Sequence, residues 1–410
     1  MTKPGYKMTE IGELPEEWEV VEIGDNKVSE LVMGQSPPSS SYNASGNGIP
    51  FLQGNADFGE IIPSPSIYCT KPLKLAEKGD ILLSVRAPVG ELNIAAFKCV
   101  IGRGLAAIRC NDKKTHYKYL YYYLKYSVNR LRSLSTGSTF KAVGKEILSH
   151  FEICLPDFEE QKKIAEILST ADETIQKVNE EITLTEKLKK GLMQTLLTKG
   201  IGHTKFKMTE IGEIPDAWDV KELYQVSELR KETIEPKKYM SEHFVGLENI
   251  SPGQLRIFSY GDATNLKSSK FKFKKGDILY GKLRPYLDKV ALAETDGVCS
   301  TDIIPIVSKN SNARFLAYML HSDLFLQFVK STISGTNHPR TAWKQMSHFL
   351  IPFPSISEQQ KVAEILSTVD HKLELFRNKK AHFEELKKGM MGDLLTGRVR
   401  VKIATSKGEN

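Results

Sequence analysis

The chain of 410 residues lacks most of the devices that hold small or exported proteins together. Its five cysteines (Cys69, Cys99, Cys110, Cys154 and Cys299) are odd in number and show no C-x-x-C spacing, which argues against a disulfide framework and against a zinc ribbon. No apolar run approaches the roughly 18–20 residues that a membrane span needs. The opening MTKPGYKMTEIGELPEEW has no apolar core of the signal-peptide kind, so a cytoplasmic protein is expected. Catalytic motifs are missing as well. There is no G-x-x-x-x-G-K-[ST] loop, because Gly144-Lys145 lacks the upstream glycine and Gly281-Lys282, which has one at Gly276, is followed by Leu283 in place of Ser or Thr, and no G-x-G-x-x-G, G-x-S-x-G or H-E-x-x-H. The nine histidines are scattered, and no nucleophile, base and oxyanion donors come together. These absences point to a binding or scaffolding protein with no catalytic residues, no cofactor and no metal of its own. What is present is ordinary for a soluble globular chain: 40% apolar and 26% charged residues, enough length for two or three domains, and a net charge of +7 that permits a polyanionic partner without demanding one.

The sequence is written twice. KMTEIGELPEEWEV (7–20) returns as KMTEIGEIPDAWDV (207–220) with ten of fourteen positions identical. KGDILLSVRAP (78–88) returns as KGDILYGKLRP (275–285), and TGSTFKAVGKEILSHF (136–151) corresponds to SGTNHPRTAWKQMSHF (334–349). EQKKIAEILSTAD (160–172) matches EQQKVAEILSTVD (358–370) at ten of thirteen positions, and LKKGLMQTLLT (188–198) matches LKKGMMGDLLT (386–396) at eight of eleven. Constant order and an offset near 200 make this a tandem duplication of a whole structural unit, since solenoid repeats are far shorter. Residues 25–75 and 225–272 share little, so a common framework carries two divergent inserts, as expected if each copy has its own ligand.

Each copy is expected to end in a long helix. Asp157 with Glu160, and Ser355 with Glu358, have capping-box spacing just after a proline. Downstream, Ile164, Leu168, Ala171, Ile175, Val178, Ile182, Thr185, Leu192 and Leu196 alternate 4–3, as do Val362, Leu366, Val369, Leu373, Phe376, Phe383, Met390 and Leu394. This is the pattern of a coiled-coil seam, interrupted by Lys189, Lys380 and Lys387 and closed by Gly200 and Gly397. Upstream, short apolar runs between Gly, Pro and Ser predict strands and turns, with one helix in each copy at 115–131 and 313–330. The fold class is therefore α+β: two similar globular domains with a mostly β core and helices, joined by two long antiparallel helices with internal pseudo-two-fold symmetry. The boundaries are 1–156 and 206–354 for the domains, 157–205 and 355–399 for the helices, and 400–410 for a flexible tail.

The stretch NLKSSKFKFKKGDILYGKLRPYLDK (265–289) holds eight basic and two acidic residues, with Phe271, Phe273, Tyr280 and Tyr286 interleaved. Cations of that density suit a phosphate backbone. In the first copy Arg86 aligns with Arg284 after one gap. The polar loops 135–145 and 333–344 add further donors for base edges or phosphates. The candidate DNA-contacting residues are Arg86, Arg103, Ser138, Thr139, Lys141, Lys270, Lys272, Lys282, Arg284, Asn337, His338 and Arg340. His150 and His348, equivalent in the phrase SHF, read as structural.

The phrases TEIGEIPDAW, KGDIL and EQKKIAEIL, the last leading into a helix that ends LKKGLMQTLLTKG, resemble the specificity (S) subunits of type I restriction–modification systems. The resemblance covers both copies and nearly the whole chain. It implies two target-recognition domains, each reading one half of a split double-stranded DNA site. It also implies two modification (M) subunits that methylate adenine with S-adenosylmethionine, and two restriction (R) subunits that translocate and cleave DNA with ATP and Mg²⁺. Two other readings stand beside it: an enzyme with fused recognition domains, disfavoured by the missing cofactor motifs, and a coiled-coil adaptor that does not bind DNA.

Overall fold

The repeated opening phrase folds the same way twice. In the computed structural model, which describes residues 3–134, 142–235, 243–263, 268–333 and 338–401, Tyr6–Thr9 pairs antiparallel with Gly12–Pro15, and Phe206–Thr209 with Gly212–Pro215. The tight turn of each hairpin closes on a glycine at positive φ, Gly12 (122°) or Gly212 (97°), a conformation that residues with a Cβ rarely adopt. The next strand, Glu19–Glu22 or Asp219–Glu222, pairs with the strand that leads into the long helix, Glu152–Leu155 or Leu350–Phe353. The two ends of each copy, where sequence identity is greatest, therefore lie side by side.

The molecule forms two compact units, Met1–Lys177 with Lys380–Asn410, and Val178–Lys379. The first is built on a four-stranded antiparallel sheet in the order Leu92–Ile94, Ile81–Ser84, Leu105–Cys110, Ser29–Met33, beside a mixed five-stranded sheet. The second repeats the four-stranded sheet as Val290–Leu292, Ile278–Gly281, Ile303–Ser308, Ser227–Leu229, beside a second sheet of four strands. Among the described residues these second sheets have five and four strands, and the divergent inserts contribute strands to both.

The long helices run Phe158–Leu196 and Ile356–Leu394, 39 residues each. The unit boundaries cut both, so each unit contains the first part of one and the last part of the other. In the first unit Ile164 and Leu168 share a core with Met391, Leu394 and Leu395; in the second Val362 and Leu366 share one with Leu196 and Leu197. Within each unit the two segments run in opposite directions. Glu160 meets Arg400 while Asp172 meets Lys387, and Glu186 meets Arg377 while Lys189 meets Asp370.

Three expectations need correction. The helices placed at 115–131 and 313–330 are each two: Tyr117–Tyr126 and Val128–Ser133, then Ala313–Leu320 and Asp323–Ser331. The second break has a clear cause, because Ser322 accepts from the Phe325 N–H at 3.2 Å and starts a new helix. The capping boxes are only half present. Ser355 Oγ does accept from the Glu358 N–H, but neither glutamate reaches back; Glu160 and Glu358 instead accept the indole N–H of Trp18 (3.1 Å) and Trp218 (2.9 Å). Finally, Lys189 and Lys387 do not interrupt the seam. Both are buried: Lys387 bonds Asp172, whose other oxygen takes the Tyr122 hydroxyl at 2.8 Å, and Lys189 bonds Asp370 (2.7 Å), which takes the Tyr318 hydroxyl at 2.7 Å. Burial lowers the Lys387 pKa, against the pull of Asp172.

Candidate nucleic-acid interface

Beyond each central strand the chain continues as an edge that captures a loop from far along the sequence. In the second unit Ile278–Gly281 runs on into Lys282, whose N–H donates to Asp302 O (2.9 Å) and whose C=O accepts from the Thr341 N–H (3.1 Å). Leu283 bridges Arg340, and the Arg284 N–H donates to Pro339 O at 2.8 Å. The loop 338–341 is thereby laid along 282–284. Lys282, Arg284, His338 and Arg340 come together at one sheet end, with Arg284, His338 and Arg340 exposed. Arg284 sits at φ 49°, ψ 59°, a left-handed conformation uncommon for a residue with a side chain. Its carbonyl accepts from Leu287, so the turn is held from both sides. Arg340 Nε donates to Asp302 Oδ1 at 3.0 Å.

The first unit uses the same device. Val85 donates to Gly104 O and accepts from the Val143 N–H, both at 2.9 Å, and Arg86 bridges Ala142. The antiparallel ladder carries exposed Arg86 and Arg103 to one strand end, where the Arg103 N–H donates to Ser36 Oγ at 3.2 Å. The equivalent hydrogen bonds at Val85 and Lys282 fix the true register between copies. Arg86 stands where the second copy has Leu283, and Arg284 stands opposite Ala87, so the one-gap alignment of Arg86 with Arg284 is overturned.

The remaining candidates divide. Ser138, Thr139, Lys141 and Asn337 lie outside the described residues. Lys270 is buried and its ammonium folds onto Ser268 O (2.8 Å) and Oγ (2.6 Å), so that charge is spent within its own turn. Lys272 lies half-buried on the same strand, away from the Lys282 edge in sequence and sheet. Of the aromatics interleaved there, Phe273 and Tyr280 are core residues and Tyr286 is exposed. Sequence reasoning passed over Arg230 and Lys231, which follow the strand Ser227–Leu229, and Trp343, which follows the captured loop. The signal that could have found them is the duplication itself, since their counterparts in the first copy are uncharged or of another type.

The five cysteines are free; burial pushes Cys99 and Cys110 up to about 12 and Cys154 to about 11, so none of these three is a ready thiolate. No group of three or more metal-ligating side chains occurs among the described residues. No described helix is long and apolar enough to cross a membrane. His150 and His348 each hold a glutamate of the adjoining strand, Glu22 at 3.0 Å and Glu222 at 2.9 Å.

A family model described as the type I restriction modification DNA specificity domain matches the chain twice, at residues 15–186 and 215–385. A Methanocaldococcus jannaschii protein provisionally named as the MjaX type I restriction enzyme specificity subunit is 51% identical over 47% of this chain and 45% of its own length. The MjaVIII specificity subunit of the same organism is 30% identical over 95% of this chain and 94% of its own. The crystal structure of a type I restriction–modification S subunit from M. genitalium is 17% identical, with a TM-score of 0.60 over 96% of this chain and 99% of that one, which supports the fold.

Proposed function

The chain belongs to the type I restriction modification DNA specificity family, and from that premise we propose that it reads a bipartite, asymmetric site in double-stranded DNA, one half-site per copy. Members of this family supply specificity while other subunits of the complex carry out catalysis. The recognition domains in this reading are 1–156 and 206–354, with the helices 157–205 and 355–399 as their common framework. Two modification subunits would bring S-adenosylmethionine for adenine methylation, and two restriction subunits would bring ATP and Mg²⁺ for translocation and cleavage, all in the cytoplasm.

The observation that carries the reading is the pair of loop-capped strand ends. In each unit a distant loop is hydrogen-bonded to the end of the central strand, and exposed cations gather there: Arg86 and Arg103 in one, Arg284 and Arg340 with Lys282 in the other. Phosphate contacts made by such groups release counterions on binding, so affinity must fall as salt rises. The test is a gel shift of duplex DNA by the purified chain, alone and with a modification subunit, over a range of salt. Replacing Lys282 and Arg284 together by Ala should weaken binding and reduce the logarithmic salt slope by about one to two. Unchanged affinity and slope would remove both residues from the interface. Absence of any salt-dependent shift in either arm would favour the adaptor reading.

A further inference from the structure

The two copies provide an internal comparison at the captured loop of the second unit. Behind that loop lies a cavity of about 410 Å³, within the range of small-ligand sites. Its apolar lining includes Phe271, Ile304, Pro305 and Trp343. Four cations also line it. Arg230 is neutralised by Asp277 and Arg340 by Asp302, whereas Lys231 and Lys282 make no ion pair among the described residues. The wall also includes Thr341, which is 3% exposed and whose hydroxyl has no hydrogen-bond partner among the described residues. A buried hydroxyl left without a partner is unusual, because its desolvation is uncompensated, and here it borders an open space.

Strand register identifies the counterparts in the first copy. Ser29 pairs with Cys110 as Ser227 pairs with Ser308, which sets Val32 against Arg230 and Met33 against Lys231. The Val85 and Lys282 hydrogen bonds set Val85 against Lys282 and Val143 against Thr341. The same framework thus accepts four apolar residues at positions where the second copy has three cations and a hydroxyl. Arg230 is accounted for by Asp277, whose first-copy counterpart Asp80 is held by Arg109 instead, but packing does not require Lys231, Lys282 or the Thr341 hydroxyl, so their reason lies in what enters the cavity.

We propose that this cavity seats a single deoxynucleotide turned out of the DNA that the second domain reads, an inference that rests on the DNA-recognition reading above. The planar base occupies the apolar lining with Phe271 and Trp343, a base-edge group satisfies the Thr341 hydroxyl, and the phosphate lies at Lys231 and Lys282. Aromatic surfaces suit this role because every base has a π-face. Phosphate alone would leave the apolar lining unused, and an uncharged aromatic ligand would leave both lysines unused.

The protein carries its own reporter. Of its three tryptophans, Trp18 and Trp218 are buried and bonded to glutamates, while Trp343 lines the cavity and is half-buried. The full-length chain is titrated with each of the four deoxynucleoside 5′-monophosphates, with inorganic phosphate, and with duplex DNA, following tryptophan emission. A salt-dependent gel shift is run in parallel. Saturable quenching by at least one nucleotide and by duplex, lost in Trp343→Phe and not displaced by equimolar inorganic phosphate, is expected. Thr341→Val and Lys282→Val install the residues of the first copy and should each weaken the nucleotide roughly three- to ten-fold. The proposal is overturned by no quenching up to about 10 mM nucleotide, by equal competition from phosphate, or by unchanged affinity in both variants. In any of those cases a persisting gel shift leaves the DNA reading intact. Nucleotide binding without any duplex binding would overturn both, leaving a free-nucleotide site.

Discussion

Glu160 shows how much of this fold hangs on single polar residues. Its carboxylate is 1% exposed and takes the Trp18 indole N–H together with two guanidinium bonds from Arg400, Nε at 2.8 Å and Nη2 at 3.0 Å. Those carboxylate contacts raise the Arg400 pKa further. Arg400→Ala should therefore leave a buried carboxylate with only the indole. It should destabilise the first unit by roughly 2 kcal/mol or more, read as a lowered denaturant midpoint at unchanged slope. An unchanged midpoint would mean that water replaces the guanidinium without loss. The capping-box spacing correctly located Glu160 at a helix start, but it could not show a partner 240 residues away. At the surface, His150 has its pKa raised by its hydrogen bond to Glu22. A raised pKa means that the protonated form is favoured in the fold. The pair's contribution is fully present below the ordinary histidine value of about 6.5 and is lost as pH rises through the folded value. Glu22→Gln should bring the His150 titration, followed by NMR, back down; an unmoved midpoint would assign the shift elsewhere.

The long helices were legible as elements because alternating 4–3 spacing over five heptads has no competing explanation. Their polar interruptions were not, since a lysine in a heptad reads the same whether solvated or buried with a carboxylate. In the structure the side chains of Lys387 and Asp172 are 10% and 13% exposed, and Tyr122 completes the group. Removing one partner of such a pair leaves an uncompensated charge. Lys387→Met alone should cost about 3 kcal/mol, whereas joint replacement of Lys387 and Asp172 by Leu should cost far less or nothing. A double-mutant cycle of unfolding free energies should yield a coupling of about 1–3 kcal/mol, and zero coupling would contradict the ion-pair account. The hydrophobic positions behave differently. Leu168 is fully buried in the same core as Trp18 and Tyr119, so Leu168→Asp should unfold the first unit itself rather than merely loosen a helix pair, at a cost of several kcal/mol. A near-native melting curve for that variant would exclude the assignment. The short helices were misread where Ser127 and Ser322 break them, because apolar periodicity continues across both breaks.

On the scale of the whole molecule, the duplication was the most legible feature. Of the basic residues singled out, those beside the captured loops cluster, while Lys270, in the most Lys-rich run, is buried. Hydrogen-bond register, not residue type, made the difference. The duplication also predicts what half of the chain will do. A fragment of residues 1–202 loses Lys387, Met391 and Leu394 from the first unit but retains their repeat equivalents Lys189, Met193 and Leu196. A second copy of the fragment can supply these, Lys189 taking the place of Lys387 at Asp172. The fragment should form an isologous dimer in sedimentation and prefer a palindromic repeat of the first half-site. A monomer, or a dimer still preferring the asymmetric parent site, would contradict this. The central claim, that the chain supplies DNA specificity to a modifying complex, is tested most directly by mapping genomic adenine methylation in cells with and without it. The account predicts methylation at one bipartite, asymmetric motif that disappears with the chain; identical methylation in both cell populations would contradict it.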